Sequence, residues 1–415
     1  MKIYDIAVIG GGAAGSMAAI RAASLGKKTV LVERNETIGK KIFMTGKGRC
    51  NVTNVAPIEA FIEKFGKKGE FFRTALFEFS NEDLIEFLKS TGLETKTERQ
   101  GRVFPVTDNA KSVVEALKKC LAYNKVEMFY GARVSAVMKK NDHFKIEPEA
   151  GGVIEARRVI LSSGGASYKA TGSMGDGFRI AKELGHTVTA LKGALVPLKT
   201  KEAWVKDLQG LGLENIRLVF EYGKKHLASE IGELMFTHFG VSGPLILDLS
   251  GKIIEILDDH KEIKLYIDLK PGLNEVQIEN RLLGEFKARG KASLSNMMKS
   301  LLLHRMILKF LDLTGIDGEK AASQITQGER RAIAGLLKKF PLTITGSLAL
   351  EEAMVTAGGV SQKEINPRTM ESKIVPGLYF AGEIIEGAAS SGGYNLQAAF
   401  STGYLAGERA ATCEG

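Results

Sequence analysis

The run Asp5-Ile6-Ala7-Val8-Ile9-Gly10-Gly11-Gly12-Ala13-Ala14-Gly15 decides the fold. Its first half is short, mostly apolar and β-branched, and residues 16–25 alternate small and apolar positions at helical spacing. The segment therefore reads strand, tight turn, helix. A second strand over residues 28–32 ends in Glu33, about 20 residues beyond the first glycine, where an acid can accept hydrogen bonds from an adenosine ribose. Within this GxGxxG frame Gly10 permits the turn, Gly12 lets backbone amides approach a pyrophosphate, and Gly15 lets the helix pack on the strand. Ala13 and Ala14 keep the helix start small, and its N–H groups and partial positive charge suit phosphate. An ordinary glycine turn would not need the flanking strands and the acid.

A second glycine signature, Gly392-Gly393-Tyr394-Asn395-Leu396-Gln397, lies near the other end and opens a helix read over residues 395–406. The two together suggest one extended dinucleotide held by both ends of the chain. Between them, residues 38–54 are rich in Gly, Lys, Asn and Thr and read as a long ordered loop of the kind that serves ligands. Strand-end runs at Ser162-Ser163-Gly164-Gly165-Ala166 and Ala381-Gly382-Glu383 place small residues where an α/β sheet holds its ligands.

The organisation is that of several domains: 415 residues exceed a single typical one. Residues 80–90 read as a helix opened by a Ser80–Asp83 capping box, and residues 110–122 as a helix with the stripe Val113, Val114, Leu117, Leu121. Residues 125–161 read as three short strands. The pattern then shifts near residue 190, to β-type alternation up to about residue 270 and helical periodicity over 273–340. The expectation is an α/β, Rossmann-like domain at 1–190 plus 345–415, interrupted by a β-rich, barrel-like insertion at 191–272 and a helical one at 273–344.

A net charge of +9 is spread along the chain without a basic block, which makes a nucleic-acid partner unlikely and an anionic cofactor and small-molecule substrate the better reading. The sparse, odd set Cys50, Cys120 and Cys413 has no metal-ligand spacing, so no metal is expected and a reducing compartment is. An N-terminus that enters a strand at once and a most apolar stretch broken by Lys299, His304, Arg305 and Lys309 argue against a signal peptide or a membrane span. The expected location is the cytoplasm; the oligomeric state is left open.

Seven segments together resemble the two-dinucleotide-binding-domain flavoproteins, and more narrowly the bacterial family of BaiN-like enone reductases and aminoacetone oxidases. They are GGGAAG at 10–15, TGKGRCNVTN at 45–54, SSGGAS at 162–167, GELMFTHFGVSGP at 232–244, TAGGV at 356–360, GLYFAGE at 377–383 and GGYNLQ at 392–397. The resemblance implies extended FAD in an interrupted glutathione-reductase-type FAD domain, with pyrophosphate at Gly10–Gly15, ribose at Glu33 and its neighbour Arg34, and adenine near Val134. It places the flavin between the 45–54 loop, with Gly46, Arg49, Cys50 and Asn51, and the 382–397 segment, with Gly382, Glu383, Gly393, Tyr394, Asn395 and Leu396; Ser163 and Gly164 pass close by. The run Glu386–Ser391 departs from the family pattern beside the expected flavin ring, which bears on substrate rather than on FAD.

The chemistry expected is hydride transfer between flavin N5 and a small organic substrate, an enone or an amine. Asn395 and the amides after it can stabilise a reduced flavin anion, Arg49 can hold an anion and Asn51 can bond a flavin carbonyl. Cys50, without a partner thiol, reads as packing. Candidate proton donors are His238, Tyr168 and Glu386. With a single GxGxxG unit, NAD(P)H as donor would dock transiently. The rival readings are an amine-type oxidase using oxygen, an RNA-binding or RNA-modifying flavoprotein, and a flavin sensor without turnover.

Overall fold

The computed structural model describes residues 3–412, the side chain of Lys47 aside; Cys413 lies outside the described residues. Contacts divide the chain into two compact units, residues 1–194 with 349–415 and residues 195–348.

In the first unit the opening run forms strand β1 (Ile3–Ile9), helix α1 (Ala13–Ser24) and strand β2 (Thr29–Val32). Five of the seven residues of β1 and all of β2 are buried, as in strands covered on both faces. Helix α2 (Ala110–Tyr123) follows, then β3 (Glu127–Phe129), β4 (Val134–Lys139), β5 (Phe144–Pro148) and β6 (Ile154–Leu161). The sheet order is β3-β2-β1-β6-β5-β4, parallel from β3 to β6 and antiparallel beyond. Residues 125–161 thus hold four strands rather than three. The extra strand β3 is three residues long and pairs only with β2, too short to show a period of its own.

The outer edge of β6 is shared. Its first residues pair with β5, and its last three, Val159–Leu161, pair in parallel with Leu378–Phe380. This brings Gly382 and Glu383, from the far end of the chain, to the same sheet end as Gly10 and Ser162. The last helix, Tyr394–Thr412, lies against α1 through small residues. A Cβ on Gly403 would fall 2.2 Å from the Ala14 carbonyl oxygen, and one on Gly407 2.4 Å from that of Ala18. The two glycine signatures therefore converge because their helices touch backbone to backbone. The capping box reads as expected: Ser80 accepts from the Asp83 N–H at the start of helix Asn81–Ser90. The 38–54 loop is partly regular, with a 3-10 turn at Ile42–Gly48 and a short strand at Thr53–Asn54.

The second unit is an antiparallel sheet in which Gly212–Tyr222 pairs both with Gly232–Phe236 and with Ile263–Asp268, so the strand path closes on itself into a barrel. Its core holds strand residues such as Phe220, Leu265 and Ile344 together with Ile278, Leu282, Phe310 and Leu337 from the helices. The β-rich and helical stretches are one body. Strand Phe340–Ser347, which follows the helices, pairs back to Ile263–Asp268, a long-range pairing that local periodicity does not reveal. Among the described residues no helix is long and apolar enough to cross a membrane, and no cluster of metal-ligating side chains occurs.

Candidate cofactor and substrate site

Gly10 carries the turn after β1 with φ +102°, a conformation open to glycine, and a Cβ there would lie 2.6 Å from the Ser162 carbonyl oxygen. Gly15 has no room either: its Cβ would fall 1.8 Å from the Gly10 oxygen, so α1 seats directly on the strand end. Gly12 differs from both. A Cβ on it meets nothing within 4 Å, and the residue borders a large cavity. The first turn of α1, with Ala13 and Ala14, faces the same space.

That cavity runs across the sheet end of the first unit and contains about 1460 Å³ free of atoms, its solvent-open part included. At one end stand Glu33, Arg34 and Val134. The Glu33 carboxylate is buried and braces the glycine turn: Oε2 accepts from the Gly11 N–H at 2.7 Å, and Oε1 accepts from the Asn35 N–H and amide. Arg34 donates to Asp176 at 2.9 Å and to the Gly172 carbonyl. Asp176 also takes two bonds from Arg133, whose hydrogen bonding holds its carboxyl below the usual carboxylate range. This cluster ties the segment after β6 over the Glu33 end.

Ser163 and Gly164 line the middle of the cavity, where the Ser163 hydroxyl is buried with no hydrogen-bond partner. Beside them Glu383 accepts from Lys41 at 2.6 and 2.9 Å, from the Ser167 hydroxyl at 3.1 Å and from the Thr356 N–H at 2.8 Å. Neither Lys41 nor Ser167 was singled out from sequence. At the other end Asn395 and Leu396 form the wall with Phe65, Phe72 and Gly387. The Asn395 side chain is committed to the preceding loop: it accepts from the Ala389 N–H and donates to the Ala389 carbonyl, both at 2.8 Å. What it offers a ligand is therefore its position at the helix start.

Other candidates stand apart from the cavity. Arg49 ion-pairs with Glu98 and Asp108 and lies over the Phe104 ring, so its charge is already matched. Cys50 is fully buried, and burial pushes its thiol up to about 12, which removes it from thiolate chemistry. Gly46 packs on Phe104 and the Asn51 N–H, Gly393 on the Thr53 backbone, and Tyr394 edge-on against Phe61. The Asn51 side-chain oxygen is buried without a partner but lies outside the cavity walls.

None of the three proton-donor candidates lines the cavity. His238 is exposed in the second unit, on a turn beside Phe239. Tyr168 occupies a left-handed turn (φ +52°), its N–H bonded to the Glu351 carbonyl. Glu386 is held by Lys68 at 2.7 Å. The partners of Tyr168 and Glu386 are distant in the chain, and sequence spacing does not show them.

The walls suit FAD. An open cradle at Gly12 before a helix N-terminus would accommodate a pyrophosphate, and Glu33 and Asn395 both border the same space.

Comparison with known proteins agrees in extent. The chain is 36% identical over 408 residues, 98% of both proteins, to the 3-dehydro-bile acid delta(4,6)-reductase of Clostridium scindens. It is 28% identical over 414 residues, 97% of both, to the ribosomal RNA dihydrouridine synthase of Escherichia coli. Among solved structures, the 3-ketosteroid delta1-dehydrogenase of Sterolibacterium denitrificans shares the fold with a TM-score of 0.54 at 13% identity, covering 99% of this chain and 100% of that one. A family model described as the HI0933-like protein Rossmann domain matches residues 4–409. The chain thus belongs to the HI0933-like family, as an FAD-dependent oxidoreductase of the α/β, Rossmann type.

Proposed function

We propose that the protein reduces the carbon–carbon double bond of an α,β-unsaturated ketone, with NAD(P)H as a transiently docked donor. The observation that carries this reading is the relative at 36% identity over 98% of both chains, whose name places a reductase on a 3-dehydro-bile acid. Bound FAD supplies two-electron chemistry, accepting a hydride and giving one up. The protein's own share is positional. Glu33 with the Gly10–Ala14 turn holds the adenosine and pyrophosphate, the start of the last helix sets its dipole toward the flavin end, and the Phe65 and Phe72 rings keep that end apolar.

A second substrate reading has its own support in the 28% identity to a ribosomal RNA dihydrouridine synthase. Uridine also offers a double bond conjugated to a carbonyl, so the two readings share their chemistry and differ in what the protein must grip. Incubation with NADH or NADPH and either a 3-keto-4-ene steroid or unmodified ribosomal RNA separates them. A two-hydrogen mass gain in the steroid supports the first reading; a gain only in RNA nucleosides supports the second. Peroxide release from an amine, with neither product, would replace both by an oxidase.

A further inference from the structure

Reduction of an enone needs a proton at the α carbon as well as a hydride at the β carbon, and the residues picked from sequence for that task do not face the cavity. The geometry points to Lys41 as the acid, with Glu383 and Ser167 as positioning residues; this rests on the enone reading above. Lys41 lines the cavity with its side chain 23% exposed, and its Nζ donates to both oxygens of Glu383 and, at 2.8 Å, to the Ser167 hydroxyl. Three partners for three N–H groups hold the ammonium in place without hiding it.

The location matches the task. A Cβ on Gly382 would lie 2.8 Å from the Ala14 Cβ and 3.8 Å from that of Ala399. Gly382 therefore stands between the Ala14 cradle and the Asn395–Ala399 wall, and Glu383, the next residue, lines the same cavity with Lys41. Space around the pair is kept by Gly165, whose Cβ would fall 2.5 Å from the Glu383 carboxylate and 2.3 Å from the Thr356 hydroxyl. A part-buried carboxylate fixed by the Thr356 N–H is a firm anchor for the lysine.

The step balances as follows. A hydride from the reduced cofactor forms the new C–H bond at the β carbon, and the double-bond pair shifts toward the carbonyl oxygen to leave an enolate. An N–H bond of Lys41 breaks, its proton forms the C–H bond at the α carbon, the carbonyl returns, and the amine regains a proton from solvent. A substrate oxygen can take over the Ser167 contact, so that the same ammonium steadies the enolate charge.

The holoenzyme and its Lys41→Met, Lys41→Arg and Lys41→Met/Glu383→Gln variants test this, the double change leaving no unpaired carboxylate. FAD content is read first, then binding of 4-methylphenol as an enolate mimic, followed across pH by long-wavelength absorption, then steroid reduction. Expected are unchanged FAD content in Lys41→Met and Lys41→Arg, phenolate binding weaker by about 10- to 100-fold in both Met variants, and turnover lower by about 10²- to 10⁴-fold. Lys41→Arg should restore phenolate binding but not turnover, since a guanidinium does not give up its proton. Phenolate affinity and turnover unchanged in Lys41→Met, full turnover in Lys41→Arg, or loss of FAD from both Met variants would each overturn the assignment. Wild-type protein that binds phenolate through Lys41 yet reduces no enone would instead sink the proposed substrate.

Discussion

Substituting Gly12 by Val separates folding from cofactor binding. The residue has φ −74° and ψ −168°, extended backbone that any residue adopts, and an added Cβ meets no protein atom within 4 Å. Val is a poorer N-cap than Gly by about 1 kcal/mol, and lower unfolded-state freedom returns about 0.4–1 kcal/mol, so the apoprotein should melt almost where wild type does. The isopropyl group nevertheless fills the pyrophosphate cradle. FAD at 100 to 1000 times its Kd stabilises the wild type by about 2.7–4.1 kcal/mol. At roughly 2–4 °C per kcal/mol for a body of 150–250 residues, saturating FAD should raise the wild-type Tm by about 5–16 °C and that of Gly12→Val by almost nothing. Differential scanning fluorimetry of flavin-stripped protein with and without FAD makes the comparison. A variant that still purifies yellow and keeps its FAD-induced shift would refute the placement of the pyrophosphate.

Gly15→Ala should behave oppositely: with its Cβ 1.8 Å from the Gly10 oxygen and 2.5 Å from the Ser162 hydroxyl, it should fail to yield soluble folded protein whether FAD is present or not, checked by far-UV circular dichroism. Ser163→Ala removes a buried hydroxyl that has no protein partner, so the thermal melting point of the apoprotein should hold or rise. Glu329 in the second unit is lowered from 4.5 to about 2, first by its hydrogen bond from Lys320 and then by the Thr326 N–H. A depressed carboxylate stabilises above its unfolded pKa and loses this as pH falls through the folded value, so Glu329→Gln should melt below wild type at pH 7, with the gap closing between pH 4.5 and 2. Cys50 should resist iodoacetamide in the native holoprotein and react only on unfolding, read by peptide mass mapping.

The parts of the site legible in sequence were those in which backbone shape does the work. Gly10 and Gly15 have the steric duty that their spacing implies, while Gly12 and Glu33 border the cavity. Side-chain duties were harder to read. Arg49 looked available as a loop cation, yet Glu98 and Asp108 claim it through a hairpin pairing that spacing does not announce. Tyr168 and Glu386 have surroundings set by distant segments, and His238 sits on an exposed turn of the second unit. Lys41 was passed over as one of several lysines in a glycine-rich loop; its partner Glu383 is 342 positions away, brought in by strand Leu378–Phe380. The two insertions merged into one unit for a related reason, a last strand that pairs back across the helices.

The most direct test of the central claim needs no knowledge of the physiological donor. The purified holoprotein is reduced photochemically without oxygen and mixed with a 3-keto-4-ene steroid. The account predicts return of the oxidised flavin spectrum with one equivalent of saturated ketone formed per flavin. A flavin that stays reduced in the presence of the steroid, yet reoxidises promptly when air is admitted, would contradict it.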